Sequence, residues 1–96
     1  MDKEAIKKEL LDGSNTILKK YNEIDVVETI SVMNMAAKTV FLGSLRVHNE
    51  DVVSDIKNDL KKKFNHLGEF TVRDEKVVPC CAPNYIHISF NVSITN

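Results

Sequence analysis

Residues 85–94, YIHISFNVSI, decide the fold of this chain because apolar and polar residues alternate along the whole stretch. Successive side chains of a strand point to opposite faces, so a period of two predicts a half-buried strand. One face carries the apolar residues Ile86, Ile88, Phe90, Val92 and Ile94. The other carries the polar residues Tyr85, His87, Ser89, Asn91 and Ser93. This pattern is typical of an antiparallel sheet with its core on one side only.

Periodicity in the rest of the chain predicts two helices and three more strands. The helices are expected at residues 2–22 and 50–67, and the strands at residues 26–35, 38–48 and 69–78. Gly13 interrupts the first helix at a cost of about 1 kcal/mol, so one helix and two short helices are both open interpretations. In the last of these strands, Asp74-Glu75 is interpreted as a bulge or a turn, and residues 79–84 as a loop.

Residues 50–67 are the clearest helix. Asn49 is a good N-cap and Gly68 a good stop signal. One apolar stripe contains Val53, Ile56, Leu60, Phe64 and Leu67. We expect this stripe to pack on the apolar face of the last strand. The sequence therefore predicts a single α+β domain over residues 1–96, with the order α-β-β-α-β-β. The sheet is mostly antiparallel and four-stranded, with two helices on one face.

The amino-acid composition argues against some classes of function for this chain. The chain has 96 residues, 43% hydrophobic and 28% charged, with a net charge of −1, which is ordinary for a globular domain. Such a small net charge provides no field for nucleic acid, so we expect no nucleic-acid partner. No apolar run has the length of a signal peptide or a membrane span, so we expect a cytoplasmic protein with no membrane partner. Abundant Lys, Asn and Ile indicate a low-GC bacterium or a phage or mobile element.

A metal site is one candidate function for the histidines and cysteines. Imidazole and thiolate are zinc ligands, and a fold could bring together His48, His87, Cys80 and Cys81. The spacing argues against it, because zinc motifs hold two ligands a few residues apart in one knuckle. The alternative is surface histidines with two small loop cysteines. A cysteine nucleophile would need a base and a carboxylate within reach, and no such signature is present. We therefore expect no enzyme and no cofactor.

The polar face of the last strand is a candidate interface. Tyr85, His87, Ser89, Asn91 and Ser93 lack the lysines that natural proteins use to protect an edge strand. Either this strand is central in the sheet, or its edge pairs with another chain to form a dimer or a ring. The first helix is a second candidate. Its stripe Leu10, Ile17 and Leu18 either covers the core, which we favour, or packs on a partner.

Residues 16–73 resemble the cytosolic C-terminal domain of cation diffusion facilitator transporters. The resembling stretches are ILKKYNEIDVV at residues 17–27, TISVM at 29–33 and VFLGSLRV at 40–47, followed by the helix that ends at Phe64. The family's metal-ligand positions are not matched, since TVRD at 71–74 stands where the family often has a His-bearing strand. The resemblance implies a ferredoxin-like sandwich that tends to dimerise. Phage tail-completion proteins share a similar order of elements and assemble into rings.

Together these observations predict a small non-enzymatic interaction or assembly module. Its partner would be a second copy of itself, in a dimer or ring, or another protein. Two alternatives remain open. One is a metal-responsive regulatory domain, and the other is a nucleic-acid-binding accessory protein.

Overall fold

The computed structural model describes residues 2–95 as a four-stranded antiparallel sheet with two helices. The elements are α1 (Lys3–Lys20), β1 (Ser31–Asn34), β2 (Lys38–Val47), α2 (Val53–Phe64), β3 (Glu69–Val77) and β4 (Tyr85–Thr95). All three strand pairings are antiparallel. The α+β class and the order α-β-β-α-β-β that the sequence predicts are therefore confirmed.

The strand order β1-β2-β4-β3 makes β4 a central strand. It pairs with β2 from Val47↔Ile86 to Lys38↔Thr95, and with β3 along its other edge. Both edges of β4 are thus used within the chain, so the alternative that its edge pairs with another chain is wrong. The sheet edges are β1, which is short, and β3, whose run Arg73-Asp74-Glu75-Lys76 carries the charges typical of a protected edge.

The core lies between one face of the sheet and both helices. The inward residues of β4 meet those of β2 in register, as at Ile88↔Leu45. Buried residues of α1 and α2 complete the same cluster: Leu10, Ile17, Leu18, Ile56, Leu60 and Phe64. Of these, Leu10, Ile17 and Leu18 are only 0%, 4% and 2% exposed. The core-covering interpretation of α1 therefore holds, and these three side chains are not available to a partner.

Helix α1 is continuous through Gly13, so the interpretation as two short helices is wrong. A Cβ atom at Gly13 would lie 2.6 Å from the ring of Phe64. The glycine is therefore explained by the close approach of α2. The gain in packing offsets the cost of glycine in a helix interior, which is about 1 kcal/mol.

The second helix starts later and ends earlier than the sequence predicts. The Asn49 side chain accepts a hydrogen bond from the Asp51 amide at 3.0 Å, but this cap begins a 3₁₀ turn, Glu50–Val52. The α-helix then runs from Val53 to Phe64, with its stripe facing the sheet as expected. The last predicted turn, at residues 65–67, is non-helical.

Two predicted strand features differ from the structure. Strand β1 begins at Ser31 and not at residue 26, because the Asn15 side chain holds the backbone of Val27 away from the sheet. Asp74-Glu75 forms no turn or bulge, since β3 pairs with β4 without interruption through Asp74↔Ile88 and Glu75↔His87.

Three polar side chains join the two helices outside the core. The Asp59 carboxylate of α2 accepts hydrogen bonds from Lys20 Nζ at 2.9 Å and from the Tyr21 hydroxyl at 2.7 Å. These bonds, that from Lys20 above all, hold the pKa of the Asp59 carboxyl below its usual value of 3.8. Because this pKa is lowered in the folded state, the ionised carboxylate stabilises the fold above the usual value, and this stabilisation is lost as the pH falls through the lowered pKa.

Asp59→Asn is therefore expected to lower the free energy of unfolding at neutral pH. The deficit relative to the native chain should shrink as the pH falls below 3.8, where the native carboxyl also becomes neutral. Urea unfolding of both proteins across this range measures the effect. A deficit that stays constant with pH would show that the ionised carboxylate is not its cause.

Candidate functional site

The sheet has an outer face, which we define as the face turned away from both helices. Its central column is the polar set predicted from the sequence: Tyr85, His87, Ser89, Asn91 and Ser93. These side chains are half-buried by their neighbours and are not covered by either helix. The structure therefore keeps the predicted set together on one surface, whose role as an interface remains a prediction.

Hydrogen bonds between neighbouring strands order this outer face. The Thr71 hydroxyl donates to Asn91 Oδ1 at 2.8 Å, and Arg73 Nε donates to the Ser89 hydroxyl at 3.3 Å. The small side chains of Ser89 and Asn91 leave a shallow trough of about 330 Å³, lined also by Leu42, Thr71 and Arg73. These hydrogen bonds restrain the side chains that border the trough.

An apolar patch adjoins the trough on the outer face. Met33 of β1 is paired with Val40 of β2, and Leu42 follows on the same side of the strand. Met33 is 47% exposed and Leu42 is half-buried, whereas Val40 is buried, with 9% of its surface exposed. Apolar surface beside a polar, uncharged column is the composition expected of a protein interface.

Opposite charges flank the central column on its two sides. The outer side chains of β2 include Lys38 and Arg46, whereas those of β3 include Glu69 and Glu75 together with Arg73. Arg46 and Glu75 lie in one row, since both are in register with His87 of β4. Exposed charges of this kind steer and align partners more than they add affinity.

The predicted metal ligands lie in three different environments. His48 Nε2 lies 2.8 Å from Asp25 Oδ2, and its ring packs near Tyr85 with centroids 6.3 Å apart. His87 belongs to the outer face. Cys80 and Cys81 are exposed in the loop between β3 and β4, with their sulfur atoms 3.6 Å apart and unbridged. Within residues 2–95, no three His, Cys, Asp or Glu side chains are grouped so that they could hold a metal ion.

A cleft of about 520 Å³ opens beside the second half of β2. One wall is the extended segment of residues 25–29, and the other is formed by Ser44, Leu45 and Arg46 with Tyr85 and His87. The guanidinium of Arg46 lies 4.9 Å from the centre of the Tyr85 ring, which is close enough for a cation–π contact. A cleft of this size lies within the range of known ligand sites.

Two polar side chains that no sequence pattern indicated bind the backbone next to the cleft. Asn15 binds both backbone groups of Val27 through its side-chain amide. The Glu23 carboxylate accepts a hydrogen bond from the His48 amide at 2.6 Å. No local pattern could have identified them, because their partners are 12 and 25 residues away in the sequence.

Comparison with known proteins does not assign this chain to a family. No family model matches the chain, and neither does any curated protein or solved structure. The resemblance of residues 16–73 to the transporter domain therefore stays a prediction. Among residues 2–95, neither helix is both long enough and apolar enough to cross a membrane.

Proposed function

We propose that this chain is a small, non-enzymatic assembly module that associates with itself through the outer face of its sheet. The observation that carries the proposal is that both helices cover the opposite face, which leaves a polar column without formal charges open beside an apolar patch. Antiparallel sheets often leave one face to solvent. Here, however, the combination of the exposed Met33 and the half-buried Leu42 with a hydrogen-bonded trough favours contact with a second surface.

The charge pattern favours a second copy of the chain as the partner. In a dimer with a two-fold axis along β4, the outer column of β2 in one copy lies over that of β3 in the other. Arg46 of each copy then faces Glu75 of the partner copy, because the two residues share a row. A two-fold axis in the plane of the interface but perpendicular to the strands would instead place Lys38 of one copy opposite Arg46 of the other. That arrangement brings two like charges together. Face-to-face sheets pack about 10 Å apart, a distance that these side chains span.

Asn91→Arg tests this proposal at the centre of the face. In a face-to-face dimer the substitution places two arginines across the axis, and like charges in an interface cost several kcal/mol. We expect the dimer dissociation constant to rise roughly tenfold or more. Sedimentation equilibrium measures it.

The matched control is Asn58→Arg, the same substitution at an exposed position of α2. It should leave association unchanged. Equal association by both variants would contradict the proposed interface.

The ferredoxin-like arrangement belongs to the same proposal. In its favour, β2, α2 and β3 form a split β-α-β unit, with β4 inserted between the two parallel strands. The observed order equals that of the ferredoxin-like fold if its first strand is moved to the end of the chain. Domains of this shape leave one sheet face free, as the proposed assembly requires.

We expect the module to act in the cytoplasm, encoded by a low-GC bacterium, a phage or a mobile element. The two alternative functions predict different results. A metal-responsive domain would melt at a higher temperature when its metal is added, by mass action. A nucleic-acid-binding protein would lose affinity steeply with increasing salt.

A further inference from the structure

Part of strand β2 has an unpaired edge. β1 pairs with β2 only from Asn34↔Thr39 to Ser31↔Leu42, although β2 continues to Val47. In an antiparallel ladder, alternate residues direct both backbone groups towards the same neighbour. The Lys38 carbonyl accepts a bond from the Met35 amide, so Lys38 faces the β1 side, and so do the alternate residues Ser44 and Arg46.

Residues 25–29 of the same chain run beside this edge but do not pair with it. Continuing the register of β1 would put Thr29 opposite Ser44, and Val27 opposite Arg46. Asn15 Oδ1 instead accepts from the Val27 amide at 2.7 Å, and Asn15 Nδ2 donates to the Val27 carbonyl at 3.0 Å. Both groups that would bond to Arg46 are therefore already occupied. Between residues 2 and 95, no backbone bond joins Ser44 or Arg46 to residues 23–30.

The charges around the cleft favour one kind of occupant. Asp25 is already paired with His48. Arg46 keeps its positive charge, but it lies on the β2 wall, packed over the ring of Tyr85. Glu28, on the wall opposite β2, is exposed and forms no ion pair with the described part of the chain. Val26 of the same wall is 69% exposed. The wall therefore complements a segment that carries apolar and basic side chains.

We propose that this cleft binds an extended, neutral to basic peptide segment of another protein, which pairs as an added strand with Ser44 and Arg46. Strand addition derives its affinity from main-chain hydrogen bonds, which an unpaired edge offers. Side chains of the segment contact Val26 and Glu28. The cleft shares Arg46, Tyr85 and His87 with the outer face, but the proposed pairing uses the backbone edge of β2 and extends the sheet sideways.

The test uses the isotopically labelled native chain and a short capped peptide of alternating threonine and valine with a central lysine. We expect chemical-shift changes confined to the lining of the cleft, which comprises residues 25–29 and 44–46 with Tyr85 and His87. We also expect slower hydrogen exchange at the amides of Ser44 and Arg46. Glutamate in place of the lysine should weaken binding by up to about fivefold, as expected for an exposed ion pair.

A peptide with proline at the central position is the second control, because proline cannot donate to a ladder. We expect no binding of this peptide at the cleft. Equal binding of the proline and lysine peptides, or no shifts at Ser44 and Arg46 at millimolar lysine peptide, would overturn the proposal. The amide exchange and the proline control report backbone pairing at the edge of β2, which self-association through side chains of the outer face does not involve.

Discussion

Ile88→Asp is expected to unfold the protein. Ile88 is fully buried at the centre of β4, in register with Leu45 of β2. A carboxylate at this position would be surrounded by the aliphatic and aromatic side chains of the core, which offer no partner for its charge. An unpaired buried charge costs several kcal/mol, which is a large part of the stability of a domain of this size. Leu60→Asp in α2 should have the same effect, since Leu60 is equally buried.

Ser89→Asp is the matched control for Ile88→Asp. Ser89 is the next residue of the same strand, but its side chain lies on the outer face beside Arg73. The aspartate there stays in contact with solvent, so the variant should fold. Circular dichroism and thermal unfolding of the two variants measure the difference. A folded Ile88→Asp variant, or an unfolded Ser89→Asp variant, would show that the inner and outer faces of β4 are assigned the wrong way round.

Phe64→Ala is expected to cost about 3–5 kcal/mol of unfolding free energy. The Phe64 side chain is fully buried, and its ring lies 5.9 Å from that of Phe90 and 6.5 Å from that of Phe70. It also contacts α1 at Gly13, where no Cβ atom could fit. Removing the ring therefore leaves a cavity where both helices meet the sheet, and Gly13 offers no side chain to fill it.

Phe70→Ala is the control for this second substitution. The ring of Phe70 also packs against that of Phe90, with centroids 5.8 Å apart, but Phe70 lies on the edge strand β3 and is only half-buried. Less apolar surface is lost there, so the cost should be about half or less. Denaturant unfolding of the two variants gives both values. Equal losses would contradict the placement of Phe64 at the centre of the core.

Local patterns in the sequence predicted the parts of the fold that depend on neighbouring residues. The alternation through Ile88 and Phe90 gave the inner face of β4, and the stripe through Ile56 and Leu60 gave the inner face of α2. Each pattern follows from the geometry of a single element. The class, the order of elements and the polar face of β4 could therefore be predicted without any long-range information.

The features that the sequence did not reveal depend on contacts between distant residues. Strand β1 starts late because Asn15 binds Val27, and Gly13 is tolerated because Phe64 packs against it. The central place of β4 follows from pairings that join residues up to 57 positions apart, as in Lys38↔Thr95. The cleft beside Ser44 arises from the same kind of contact. None of these partners can be read from a local window of the sequence.

The most direct test of the account is light scattering on a size-exclusion column across a range of protein concentrations. If the outer face assembles two copies, the measured mass should rise with concentration towards twice the chain mass of 10.9 kDa. The midpoint should move to higher concentration as salt is added, because Arg46 and Glu75 of opposite copies are screened. A mass that stays at 10.9 kDa at every concentration would contradict self-assembly through this face.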